Sequence, residues 1–527
     1  MRLPAPCRPT LADLIGVFLI GTILAIGGSR LFGDADPATH VATGRWILAH
    51  HEVPRTDPFS ATHTGPWYAH EWLADVLFSR IHDAAGWQGL VVLSALLVAM
   101  AHVLLFRHLV RRGDDVLLAF VATVLAAAAS SSHWLARPHL IGALILVIWV
   151  RVLDGVGRCQ TSPAMLALLP PLALLWANLH GGFLVGLGVL AIWTVTASLP
   201  LPARPCGARP RTWWLTLAGC SAATLVNPYG PALHAHLLAF FAVPRARLRS
   251  IVEFAPPSLS DRAGIAVYLF LLIVAVGIAA GTRAFTLARR AIPEPGPVPP
   301  PGGPSDPATH PLQPAPLLAF AAAAVAALTS IRHIEIAALF GALVLSEGGS
   351  AWLRLRLITA DRAAWEAWHR YETRHGGFVF ALAGLAAVAL TMTSRLPPAG
   401  FDPLRFPVRE VAALRRAGIS PVGPVLAPDW WGGYLILEWP GARVFVDGRS
   451  DMYGDAFMEN YARIYSAAPD WPARLDQAGV EWALLPVDAP LARAMARSTA
   501  WSRWRDSAAG IVFRRADRAA AHEFTPP

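Results

Sequence analysis

The sequence contains no lysine: all 44 basic residues are arginine. Together with abundant Ala and Pro, that reflects a GC-rich coding bias rather than chemistry. Charge is scarce as well. Charged residues make up 15% of the chain, whereas an ordinary soluble chain carries about a quarter. Only 4 of the 527 residues are cysteine, which excludes a small secreted scaffold built on disulfides. A Walker A loop, a dinucleotide fingerprint, an HExxH zinc motif and a CxxC pair are all missing. The net charge of +9 is dispersed through short segments between apolar blocks and forms no basic face, so nucleic acid is not a partner. Secreted toxins and cytosolic enzymes are excluded by the same composition.

What is present is apolar surface in excess. The chain is 55% hydrophobic with a mean hydropathy of +0.45, too much for one soluble core, since cores stop growing near ~250–300 residues. The excess is grouped in eleven segments: 11–29, 87–106, 116–132, 139–153, 163–178, 183–199, 213–227, 264–281, 315–331, 333–347 and 377–394. Their lengths suit membrane spans. The first has no small-residue cleavage site and is followed by further spans, so it reads as a span rather than a signal peptide. The 20 tryptophans suit interfacial belts.

Arginine placement orients the spans. Arg2 and Arg8 put the N-terminus in the cytoplasm, and the loops carrying Arg107, Arg111 and Arg112, or Arg354, Arg356, Arg362, Arg370 and Arg374, fall on the same side. In the long loop 30–86, Arg30, Arg45, Arg55 and Arg80 are outnumbered by Asp34, Asp36, Glu52, Asp57, Glu71, Asp75 and Asp83, which places that loop outside. Arg245, Arg247 and Arg249 are an exception, lying in a loop also assigned outside. Cys7, Cys159 and Cys206 fall on the cytoplasmic side and Cys220 within a span, so no disulfide is expected in an exported loop.

The expected organisation is a membrane domain over 1–394 and a periplasmic α/β domain over 395–527. Loop 30–86 should carry surface helices near 38–50 and 70–83. Residues 291–316, rich in Pro and Gly, read as a disordered cytoplasmic linker. In the C-terminal region, β-like runs at Val422–Ala427, Arg443–Val446, Trp482–Pro486 and Ile511–Arg514 alternate with helical stretches at 430–438, 454–466 and 489–497.

The out-of-place polar residues gather on the exported side: Asp34, Asp36, His40, His70 and Glu71 in the first loop, then Arg137 and His139, Asn178 and His180, Asn227 and Tyr229, and Arg332 and His333 at four later turns. Ionisable groups at membrane depth usually face a cavity. Each also has a plain structural reading. Asp36 followed by Pro37 makes a standard helix start with Asp36 as cap. His70-Glu71-Trp72 suits interfacial anchoring, Asn178-Leu-His180-Gly-Gly a tight turn, Asn227-Pro-Tyr229-Gly a helix stop, and Arg332-His333 a helix end with Glu335 as ion partner.

Five stretches carry a family resemblance: the Asp-x-Asp-x-x-x-His-x-x-Thr-Gly-Arg pattern from Asp34 to Arg45, then Pro54-Arg55-Thr56-Asp57-Pro58-Phe59-Ser60 and His70-Glu71-Trp72, and the C-terminal runs Trp430 to Tyr434 and Val446-Asp447-Gly448-Arg449-Ser450-Asp451-Met452-Tyr453-Gly454. They resemble a set of bacterial polytopic membrane proteins that are similar to glycosyltransferases of the GT-C superfamily. That resemblance implies a mainly α, multi-span GT-C-type membrane domain, set in the bacterial inner membrane, with a small periplasmic α/β domain. It also implies a sugar donor carried on polyprenyl phosphate and a glycan, lipid or protein acceptor outside. By the same analogy Asp34 or Asp36 is the catalytic carboxylate, or the pair holds Mg²⁺ or Mn²⁺, and Arg332 or Arg137 meets the donor phosphate. Asp429-Trp430-Trp431-Gly432-Gly433-Tyr434 is similar to the acceptor-reading motif of oligosaccharyltransferases, but Gly432 stands where that motif has Asp, which argues against recognition of an Asn sequon. The competing readings are a non-catalytic envelope or lipid-transport protein on the same scaffold, and a surface-polysaccharide polymerase or ligase.

Overall fold

A computed structural model describes residues 8–516 except 64, 202, 206, 242–253, 292–311, 357–358, 394, 422 and 450–451. Most of the linker 291–316, the arginines at 245–249 and the Ser450-Asp451 step of the C-terminal motif therefore lie outside the described residues.

Each of the eleven apolar segments becomes a helix. Among the described residues six helices are long and apolar enough to cross a membrane: Leu11–Arg30, Trp72–Arg111, Val116–His133, His139–Gly157, Arg262–Arg290 and Ile331–Arg356. A bent pair, Ala363–Arg374 with Phe378–Met392, makes up to seven, and Pro163–Leu179, Phe183–Ser198 and Pro314–Thr329 are shorter apolar helices. The protein is a multi-pass membrane protein with a mainly helical fold. Local chemistry sets the boundaries. The Val116–Ser130 helix starts at Asp115, whose side chain accepts from the amides of Leu117 and Leu118. The expected surface helix near 70–83 and the span 87–106 are continuous, running from Trp72 to Arg111 with one break at Gly86 (φ 60°, ψ −156°), a backbone conformation that favours glycine.

The chain divides into two compact units. One comprises Met1–Leu24, Val92–Trp134 and His139–Arg395; the other comprises Ala25–Val91, Leu135–Pro138 and Leu396–Pro527. The second unit joins the first loop to the C-terminal region around a five-stranded sheet of order β2-β1-β3-β5-β4. The strands are β1 (Pro424–Leu426), β2 (Arg443–Val444), β3 (Trp482–Pro486), β4 (Trp501–Asp506) and β5 (Gly510–Arg515). β1 pairs in parallel with β2 and β3, while β5 runs antiparallel to both β3 and β4. Helices at Asp429–Glu438, Asp455–Tyr465 and Pro490–Met495 match the helical stretches read from the sequence, and Val408–Arg416 and Trp471–Gln477 add to them.

The first loop completes this unit. Trp67 and Ala69 are buried in the same core as Leu426, Phe445, Leu485 and Phe513. Ser60 bridges to Val444, the Val444 amide donates to the Phe59 carbonyl at 3.1 Å, and the Ala61 amide donates back to Val444 at 2.9 Å. The loop thereby covers the β2 edge, whose backbone groups would otherwise be open to another strand.

Candidate active site in the first loop

The site begins where the first apolar helix ends. The loop helix is Asp36–His50, with Ala35 at its N-cap position and Pro37 in its first turn. Asp36 is therefore the first helical residue and not the cap. The nearby side-chain acceptor is Asp34, whose Oδ1 receives the Asp36 amide at 3.0 Å. Two carboxylates stand at the positive end of a helix dipole, where negative charge is favoured.

Arg137 joins them. Its Nη2 is 2.5 Å from Asp34 Oδ2 and 3.1 Å from Asp36 Oδ2, and its Nε donates to Asp34 Oδ1 at 3.2 Å. Asp34 is thus gripped by both edges of a guanidinium fork, the geometry that suits arginine to carboxylates. Asp36 shares only one oxygen with that fork. Its Oδ1 faces Gly448, where a Cβ would come within 3.0 Å of it. Burial raises the Asp34 carboxyl above the usual range; Arg137 counters this, while the Asp36 charge adds to it. The Asp36 side chain keeps 33% of its surface exposed and that of Asp34 22%, so Asp36 is the more open of the two carboxylates.

A second cluster lies one helical turn on. Asp36, His40 and Gly44 follow at i, i+4 spacing and share a helix face. A Cβ at Gly44 would fall 2.0 Å from the Asp75 carbonyl, so glycine allows the Asp36–His50 helix to pack onto the start of the Trp72–Arg111 helix. That approach brings His40 Nδ1 to 2.7 Å from Asp75 Oδ1 and its Nε2 to 3.7 Å from Glu71 Oε2, and His70 Nε2 lies 4.0 Å from Glu71 Oε1. Burial alone would lower the His40 imidazole, but the Asp75 hydrogen bond and the Asp75, Glu71 and Asp36 charges outweigh it and push it up to about 9. Asp75 did not stand out in the sequence, because its partner is 35 residues away.

The C-terminal motifs turn out to be joints. Arg449 reaches Asp447 through Nε (2.9 Å) and Nη2 (2.6 Å) and Asp57 through Nη1 (2.7 Å), and it lies over the Trp67 ring at 4.5 Å. Asp57 in turn accepts from the amides of Phe59 and Ser60. The Asp57-Pro-Phe-Ser and Asp447-Gly-Arg449 stretches therefore clasp each other and set Gly448 beside Asp36. The Trp430–Tyr434 motif is also a packing device. A Cβ at Gly433 would meet Thr39 Oγ1 and the Ala35 carbonyl, and one at Gly432 would meet Asp447. Trp431 is 1% exposed and its indole donates to the Arg405 carbonyl, which makes it a core residue and corrects its reading as an acceptor contact. Trp430 is 45% exposed, with its ring edge-on to Tyr465.

The other proposed contacts lie in the membrane unit. Asn178 donates to the Leu174 and Val226 carbonyls, and Asn227 donates to Thr224 and Gly230 while accepting from the Tyr229 amide. Tyr229 is buried, and His180 Nδ1 accepts from the Gly182 amide. These contacts fit turn chemistry. His139 Nε2 lies 3.8 Å from Glu335 and 2.9 Å from the His133 carbonyl, His333 Nδ1 is 3.3 Å from the Ser330 carbonyl, and the Arg332 guanidinium lies 4.5 Å over the Phe254 ring.

Solved structures of two enzymes are among those similar to this chain. The Archaeoglobus fulgidus oligosaccharyltransferase, tethered by a disulfide bond with an acceptor peptide containing the NVT sequon, has a TM-score of 0.59 at 13% identity, covering 90% of this chain and 69% of that one. At that identity the likeness is one of fold. The same enzyme in complex with Zn and sulfate gives a TM-score of 0.52 at 11% identity, over 90% of this chain and 68% of that one. ArnT from Cupriavidus metallidurans bound to undecaprenyl phosphate covers 95% of this chain and 97% of its own at 12% identity, but its TM-score of 0.45 is too low to bear on the fold. No protein-family model and no curated protein matches the sequence.

The divalent cation that the resemblance implies does not fit the Asp34–Asp36 pair as built. Mg²⁺ is commonly held by one or two carboxylates with water completing its octahedron, so the obstacle here is an occupant and not a shortage of ligands. Asp34 and Asp36 supply two carboxylates, and the Arg137 guanidinium already bridges them. Among the described residues no group of three or more His, Cys, Asp or Glu side chains could hold a metal ion.

Proposed function

We propose that this chain is a membrane glycosyltransferase that moves a sugar from a polyprenyl-phosphate carrier to an acceptor outside the cytoplasm. The observation that carries the reading is the carboxylate pair Asp34–Asp36 at the start of the first loop, at a helix N-terminus and held by Arg137, on a GT-C-like fold. Asp36 takes the acceptor O–H or N–H proton as the acceptor attacks the sugar C1, and the C1–oxygen bond breaks with its electron pair leaving on the lipid phosphate. Asp34 holds Arg137 and the helix start in register, and the His40–Asp75–Glu71 cluster orients the acceptor from the same helix face. Arg332 in the membrane unit is the donor-phosphate candidate, because its fork gives two parallel bonds to phosphate oxygens.

The test is consumption of a lipid-linked sugar. Purified protein in nanodiscs, given a panel of polyprenyl-phosphate sugars with membrane extract as acceptor, depletes one of them. The Asp34→Ala/Asp36→Ala double variant depletes none. Equal phenotypic rescue by that double variant in cells would favour the non-catalytic envelope or transport reading instead.

For orientation, we propose a cytoplasmic N-terminus and a periplasmic C-terminal region in the bacterial inner membrane, on the arginine asymmetry. One observation weighs against it: Cys159, on the face assigned to the cytoplasm, is disulfide-bonded, and disulfides persist in oxidising compartments. A reporter active only outside the cytoplasm should be active when fused after residue 400 and silent at residue 300; the reverse pattern overturns the assignment.

A further inference from the structure

We infer that Arg137 is the resident cation of the Asp34–Asp36 pair, standing where the superfamily resemblance calls for a divalent metal ion. The guanidinium has three contacts of 2.5–3.2 Å to the two carboxylates, and its side chain is only 16% exposed. A metal ion ligated by the same Oδ2 atoms would lie within a few ångströms of a fixed positive charge, which opposes binding. The arginine is also placed by its backbone. The Ala136 amide donates to the Leu31 carbonyl at 3.0 Å and the Arg137 amide to Leu135 at 2.8 Å. Pro138 then restricts Arg137 to extended backbone. Residues Leu135–Pro138 leave the membrane unit and belong with the first loop, so the chain makes a four-residue excursion that delivers this side chain.

The role follows from charge. Two carboxylates at this distance repel each other, and a guanidinium lying against both offsets that repulsion. Because Arg137 grips Asp34 twice and Asp36 once, it fixes Asp34 and leaves Asp36 Oδ1 for chemistry. The inference concerns the site of the proposed transfer, but its test reads ion binding and side-chain coupling, so it stands or falls apart from whether sugar is transferred.

The full chain in nanodiscs, stripped with EDTA, is titrated with MnCl₂ and separately with ZnCl₂ while bound ion and melting temperature are followed. The wild type should show no saturable ion binding at the pair and no change in Tm on chelation. Saturable binding that Asp34→Asn abolishes would overturn the inference. In a second measurement, Arg137→Gln, Asp34→Asn and the double variant are melted. The Tm losses of the two single variants should exceed the loss of the double by a clear margin, because each single change strands the partner. Strictly additive losses would overturn the inference as well.

Discussion

Two ionic clusters of similar composition show how burial separates structure from chemistry. In the membrane unit, Asp154 receives His108 Nε2 at 2.9 Å and Arg158 Nε at 3.0 Å, Glu347 receives Arg112 and Arg158 at 3.0 Å each, and Arg112 Nε lies 3.6 Å from both Asp114 and Asp154. No side chain in that network is more than 15% exposed, and Asp154 is 2% exposed. It ties together the ends of helices that have little else polar to share. In the first-loop cluster, Asp36 keeps a third of its side-chain surface open. Both clusters pair arginine with carboxylate, but only the second leaves a carboxylate a third exposed. Charge balance alone therefore does not identify a site; access does.

The largest effect should come from breaking the closed network. Asp154→Ala removes the carboxylate paired with His108 and leaves Arg158 with Glu347 and Arg112 with Glu347 and Asp114, and losing one partner of a buried pair costs about 3–5 kcal/mol. Thermal melting of the detergent-solubilised protein should show a large loss of Tm or of folded yield. A Tm within a degree of wild type would mean that the network carries no stability.

In the open cluster the same kind of change should act on rate. Asp36→Asn keeps the shape and leaves the Arg137–Asp34 fork intact, so Tm should barely move, while turnover should fall ~10²-fold or more if a general base is lost. Asp34→Asn should do the converse, lowering Tm more than Asp36→Asn does because it breaks the bidentate grip. Near wild-type transfer by Asp36→Asn would move the base elsewhere.

Acidity sharpens the contrast next. An unfolded histidine releases its proton near 6.5, and the folded chain holds His40 up to about 9. The folded state then binds more protons across that window. Its contribution to stability is fully present below pH 6.5 and declines as pH rises through 9. Tm measured from pH 6 to 10 should fall across that range, and His40→Gln should flatten the decline. An identical pH profile in His40→Gln would show that His40 is not the titrating group.

The helices were legible because hydropathy is a local property, and every apolar segment produced one. What the sequence hid was pairing across distance. Arg137 was visible as an odd arginine, but its partners lie about a hundred residues earlier, so a donor phosphate looked as suitable as Asp34. Asp57 and Arg449 stood in quoted motifs, yet nothing local says that residues 392 apart meet. Asp154 and His108 sit in apolar helices where charge counts treat them as noise. Strand β4, Trp501–Asp506, alternates Trp with Arg and Ser in a polar edge pattern, so it escaped a search for apolar runs. Trp430 and Trp431 are adjacent and chemically identical, and only packing assigns one to the core.

That pair supplies the smallest predicted effect and the finest test of access. Trp430 is 45% exposed and its recorded ring contact is with Tyr465, at 5.9 Å between centroids. Edge-to-face aromatic pairs contribute about 0.5–1.5 kcal/mol, so Trp430→Ala should lower Tm only slightly. Its exposed ring offers a flat face on which a sugar or an aromatic acceptor can stack. On that reading Trp430→Ala raises KM for the acceptor and leaves kcat unchanged, because a platform that binds ground and transition states alike affects binding only. Trp430→Phe, which keeps a ring, should recover most of the lost affinity. A fall in kcat with KM unchanged would place Trp430 closer to the reacting atoms than Asp36 allows, and no change in either would leave it as a packing residue of the C-terminal region.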